Sequence, residues 1–167
     1  MLPPFLRFVK GVVDCEDIPL NVSREGYQDS ALMAKLKSYL TKRVIKSLKE
    51  EAEKDPSAYN KWYKDFEMFI KEGSIDHEYK KDMSLLNRYG LNIQDGVVSL
   101  KDYISIKKPT QDRILYMFAP SKSAANESPY AYPLTKAGIP VLITNTHIDE
   151  MIFRELDTFE GLKFSNI

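Results

Sequence analysis

The run Ile114-Leu115-Tyr116-Met117-Phe118-Ala119, the segment 121–138 broken by Pro129 and Pro133, and the run Val141-Leu142-Ile143-Thr144 together decide the fold. Both apolar runs have strand length and are rich in β-branched and aromatic residues, while the segment between them has helical spacing interrupted where proline removes a backbone donor. A strand, a helix and a second strand in that order imply a parallel crossover, because neighbouring parallel strands need a connection of a dozen or more residues. Downstream, Met151, Ile152, Leu156 and Phe159 recur at helical spacing over 149–159, and 162–164 can add a last strand. Upstream, a polar turn at 92–96 leads to Ser99-Leu100-Lys101-Asp102, which has the form of a capping box opening a short helix. Residues 93–167 are therefore expected to form a smaller α/β domain with a short, mainly parallel sheet.

Before this unit the rhythm is helical. Leu32, Leu36, Leu40, Val44 and Leu48 recur every four positions, widened by Met33, Ile45 and Ala52, which predicts a long amphipathic helix. Asp55-Pro56 supplies a cap and a first helical residue for a second helix, whose stripe of Tyr59, Trp62, Tyr63, Phe66, Phe69 and Ile70 runs to Gly73. Asp76 can cap a third, carrying Tyr79, Met83 and Leu86 and closing at Gly90. The first element, 5–13, mixes β-branched and aromatic residues and reads as a strand running into the polar loop Asp14-Cys15-Glu16-Asp17. A strand there would need partners, so sequence upstream of it is expected to be missing.

The 24 basic and 24 acidic side chains cancel, leaving no excess positive field to draw the chain onto nucleic acid or anionic lipid. The Lys-rich stretch 35–64 is interleaved with Glu50, Glu51, Glu53 and Asp55 and reads as a solvated helix face. One cysteine, Cys15, cannot form an internal disulfide, which favours a reducing compartment, and with only His77 and His147 there is no metal-ligand spacing. No apolar run approaches the roughly 20 residues that cross a bilayer. The sequence has no Gly-rich phosphate loop, no Gly-x-Ser-x-Gly elbow and no paired-histidine helix, so a complete active site is not expected.

Four features could carry chemistry. In the loop Ile18-Pro19-Leu20-Asn21-Val22-Ser23-Arg24-Glu25, Arg24 offers a planar, always charged fork suited to a phosphate oxygen, and Gln28 lies four residues on. Taken alone, Arg24 is more simply a surface ion-pair partner of Glu25 or Asp29. The aromatic stripe of the second helix could be a platform for unfolded protein, although such stripes are usually core. His147 beside Asp149 and Glu150 could serve acid-base chemistry, or Asp149 could cap the following helix with Glu150 in its first turn. Cys15 has no basic neighbour in sequence and reads as inert.

The stretch Phe5-Leu6-Arg7-Phe8-Val9-Lys10-Gly11-Val12-Val13-Asp14, with Glu16-Asp17-Ile18-Pro19-Leu20-Asn21-Val22-Ser23-Arg24-Glu25 after it, closely resembles the middle segment of the ninety-kilodalton heat-shock chaperones. Weaker matches follow in order, among them Lys71-Glu72-Gly73, Ala119-Pro120-Ser121, Glu127-Ser128-Pro129-Tyr130, Ile148-Asp149-Glu150 and Phe159-Glu160-Gly161. The resemblance implies three parts: residues 1–55 as the end of a larger α/β domain including a catalytic loop, 56–92 as a three-helix linker, and 93–167 as the smaller α/β domain. It implies an ATP-dependent chaperone, a homodimer when whole, in which an N-terminal domain holds ATP and Mg and the middle segment meets clients and co-chaperones. The fragment itself would be a monomer with no nucleotide site of its own. Arg24 is implied at the ATP γ-phosphate with Gln28 assisting, while Gly26-Tyr27 replaces the large aliphatic pair usual between them. Ile18 resembles the mitochondrial paralogue, which implies an organelle, with cytoplasm as the alternative. A rival function, without catalysis, is an α/β module that binds other proteins.

Overall fold

A computed structural model describes residues 1–14, 16 and 30–167. Two long helices come first, α1 (Ser30–Lys54) and α2 (Pro56–Gly73). The break between them is set locally: the Asp55 carboxylate accepts from the Ala58 amide at 3.1 Å and Pro56 occupies the first helical turn, where its missing N–H costs nothing. From α2, Tyr59, Tyr63 and Ile70 are buried with Ile45 and Ala52 of α1. Trp62, Phe66 and Phe69 are half-buried around Phe8, whose ring lies 5.2 to 5.7 Å from all three. The stripe is thus mostly core.

The segment expected as a strand at 5–13 is not one. Pro4–Leu6 forms a single 3-10 turn, with Pro4 at its start, and Phe5 and Leu6 plug into the cluster on α2. Among the described residues no strand lies beside it; Phe8 packs among the aromatic rings of α2 instead of joining a ladder, while Val12 stays exposed. The third helix, α3 (Lys80–Ser84), is also shorter than its pattern implies. The Asp76 carboxylate accepts from the Glu78 and Tyr79 amides and turns the chain just before it. Gly90, expected to close that helix, lies instead in β1 (Tyr89–Leu91), packed close against the Ile143 side chain.

The remaining elements are β2 (Val97–Val98), α4 (Leu100–Ile106), β3 (Arg113–Phe118), α5 (Lys122–Glu127), α6 (Ala131–Lys136), β4 (Leu142–Thr144), α7 (Ile148–Leu156), β5 (Thr158–Phe159) and β6 (Leu162–Asn166). The six strands form one sheet in the order β2-β1-β4-β3-β6-β5. Its centre is parallel, with Tyr116 opposite Leu142 and Ile114 opposite Phe164, which is the expected crossover. Both edges are antiparallel hairpins, so the sheet is mixed and parallel only in the middle. The β5–β6 turn, Glu160-Gly161, has positive φ at both residues (48° and 80°), the backbone twist that suits a two-residue hairpin and favours glycine.

The capping box at Ser99 and Asp102 is present in both directions. It starts α4, whose Tyr103 is fully buried. The Tyr103 hydroxyl donates to the Pro140 carbonyl at 2.8 Å, and accepts from the Leu115 amide and the Gln111 side chain. Ile152 and Phe153 of α7 cover one face of the sheet together with Tyr89, Leu91 and Leu142. Ala125 of α5 packs with Ala119 and Ile143 in a smaller apolar cluster.

Candidate functional site

Arg24, Gln28 and Cys15 lie outside the described residues. Among the described residues, charged contacts gather at the end of α2. The Arg7 guanidinium donates two hydrogen bonds to the Glu72 carboxylate, 2.7 and 3.0 Å, and a third to the Pro4 carbonyl at 2.7 Å, while lying 4.5 Å from the centre of the Phe69 ring. Those bonds hold the Glu72 carboxyl below its ordinary value, outweighing its slight desolvation. The planar fork of arginine suits such bidentate contact.

One residue before Glu72, Lys71 is buried, with 1% of its surface exposed. Its ammonium donates to the Asn145 side-chain oxygen Oδ1 at 3.3 Å, the Thr146 hydroxyl at 3.2 Å and Asp149 Oδ2 at 3.1 Å, which occupies all three of its protons. Glu67 adds a second carboxylate at 3.6 Å. Asp149 Oδ2 also accepts from the Thr146 amide and hydroxyl, so it ties down the chain just before α7. A buried ammonium is tolerable only with such pairing, since an isolated charge in a dry interior costs several kcal/mol or more.

The possible acid-base group of His147, Asp149 and Glu150 does not assemble. His147 stands at the start of α7, exposed, its ring stacked 4.9 Å from Phe118. Asp149 points inward to Lys71, and Glu150 points outward, 4.0 Å from Arg154. Asp149 is not the residue that caps the helix either. It sits in the first turn and reaches back to Thr146. Lys71 stands in the sequence only as part of the Lys71-Glu72-Gly73 match; its ion pair with Asp149 is not legible there, because that partner is 78 positions away and a helical lysine ordinarily reads as solvated.

Beyond the joint, Tyr130, Tyr132, Phe118 and Met151 expose between 49% and 72% of their surface. Among the described residues no cluster of side chains could hold a metal ion, and no helix is long and apolar enough to cross a membrane.

The family model described as Hsp90 protein matches residues 1–167. The chain is 41% identical over 166 residues to Chaperone protein HtpG of Desulfotalea psychrophila, covering 98% of this chain and 27% of that one. It is 41% identical over 170 residues to HtpG of Citrobacter koseri and 42% identical over 170 residues to HtpG of Psychromonas ingrahamii, each match covering 99% of this chain and 27% of the relative. The chain thus spans about a quarter of the length of these relatives. All three are bacterial, which corrects the mitochondrial reading drawn from Ile18. With a family model matched along its whole length and bacterial relatives above 40% identity, this chain belongs to the Hsp90 family.

Proposed function

We propose that the chain is part of the middle segment of an ATP-dependent chaperone, contributing Arg24 to hydrolysis of ATP held by a separate N-terminal domain. The observation that carries this reading is the match along residues 1–167, which includes the Ser23-Arg24-Glu25 motif. In this reading Arg24 brings positive charge to the transferring phosphoryl group when the domains close, as an arginine finger does, and Gln28 assists. The general base, the Mg ligands and most of the nucleotide contacts belong to the N-terminal domain. The three-part division at 55 and 92 is part of the same proposal.

The partners that follow are the protein's own N-terminal domain, unfolded clients and co-chaperones, with dimerisation through a further domain. Exposed Phe118, Tyr130, Tyr132 and Met151 are candidate client contacts. The compartment proposed is the cytoplasm, since the matched bacterial relatives have no mitochondrion. The test is to measure hydrolysis by the purified chain, by the N-terminal domain and by the two together. The chain alone is expected to hydrolyse no ATP and to raise the rate of the N-terminal domain. Turnover by the chain alone, or no stimulation while clients still bind, would favour the non-catalytic interaction module.

A further inference from the structure

Three successive residues at the end of α2 point in three directions, because each step along a helix turns by about 100°. Lys71 reaches into the sheet unit, to Asp149 and to the Asn145-Thr146 turn at the end of β4. Glu72 holds Arg7, and through it the Pro4 carbonyl of the N-terminal turn. Gly73 lies where a Cβ atom would come within 2.6 Å of Met83 and 2.8 Å of Phe5, so that side closes only on glycine. Segments far apart in sequence, at residues 5–7, 71–73 and 145–149, therefore meet on one helical turn.

We infer that the Lys71-Glu72-Gly73 turn is a clasp coupling the sheet unit to the N-terminal turn at residues 4–9. The bonds involved suit coupling. Hydrogen bonds to charged groups are directional and about twice as strong as neutral ones, whereas apolar contacts slide. The apolar cluster that holds Phe5 and Tyr59 and the cluster that holds Phe153 and Leu142 are separate, so little grease bridges the two sides. A shift of α7 and Asp149 is passed to Lys71, along a rigid helical backbone to Glu72, and so to Arg7 and Pro4.

The coupling is tested on this chain by amide hydrogen exchange. In Asp149→Asn the Lys71 contact loses its charge but keeps its shape. We expect exchange at the Leu6, Arg7 and Val9 amides, which bond to Pro3, Pro4 and Leu6 carbonyls, to speed up severalfold, with the Val141 amide unchanged. A paired Lys71→Met, Asp149→Leu variant, which keeps the site filled without a stranded charge, should show the same rise if Asp149→Asn fails to fold. The unfolding equilibrium of Arg7→Gln combined with Asp149→Asn should depart from the product of the single effects by at least about threefold, although the two side chains do not touch. Unchanged exchange at residues 6–9, or multiplicative effects, would overturn the clasp and leave α2 as a post with two independent attachments.

Discussion

The helical arm and the sheet unit are built by different means. The arm, α1 to α3 with the Pro4–Leu6 turn, is held by an aromatic cluster and by single long-range bonds such as Tyr59 hydroxyl to the Leu86 carbonyl at 2.6 Å. The sheet unit is held by backbone ladders over a core that mixes aliphatic residues with Phe153 packed against Tyr89, Tyr116 and Phe164. Each has its own apolar cluster, and the boundary between them is polar: Lys71 with Asp149, the Tyr63-Asn87-Ser74 chain of hydrogen bonds, and Lys80 with Glu155. Apolar burial thus folds each unit, while directional, charged contacts set how the two sit together.

The boundary is the place to break this contrast. Lys71→Ala strands Asp149 as a buried charge without its partner, which typically costs about 3–5 kcal/mol. Unfolding followed by Trp62 fluorescence, which reports the arm, should separate from unfolding followed by strand-sensitive circular dichroism. Coincident curves with unchanged midpoints would show that the two units share one core after all.

Gly73→Ala presses a methyl group against Met83 and Phe5 and should destabilise the arm by about 1–3 kcal/mol, read as an earlier Trp62 transition in urea. Asp55→Ala removes the side-chain cap of α2 and should cost about 1 kcal/mol, again in the arm.

The smallest effect concerns pH. Glu72 has its carboxyl lowered in the folded chain by the Arg7 bonds, so the pair stabilises above the ordinary carboxylate range, and that contribution is lost as pH falls through the lowered value. The stability difference between the chain and Glu72→Gln should therefore be present at neutral pH and fade below about pH 4. The pair is largely exposed, so the difference will be modest. A difference that grows on acidification would contradict the assignment.

The same contrast explains what could be read from the sequence. Elements started by local signals were legible: the cap at Asp55-Pro56, the box at Ser99 and Asp102, and the crossover from β3 to β4 all depend on residues within a few turns of one another. The segment 5–13 was not, because Phe5, Arg7 and Phe8 lie in a strand-like pattern and the side chains that claim them, Tyr79, Glu72 and Phe69, lie sixty or more positions away. The antiparallel β1–β2 edge was missed for a related reason: Gly90 marks a helix end in sequence, and pairing with Val97 and Ile143 makes it a strand residue. Of the candidate site, Arg24 and Gln28 were singled out by residue type and spacing and favoured by the motif resemblance, and the Lys71–Asp149 joint came from the structure alone.

The most direct test of the central claim is turnover by Arg24→Ala in the full-length protein. Removing one donor aimed at transition-state charge costs about 3 kcal/mol, so hydrolysis should slow on the order of a hundredfold while ATP affinity changes little and the fold survives. Turnover near that of the unmodified protein, or loss of the fold, would make Arg24 an ion-pair partner in the structure and contradict the account.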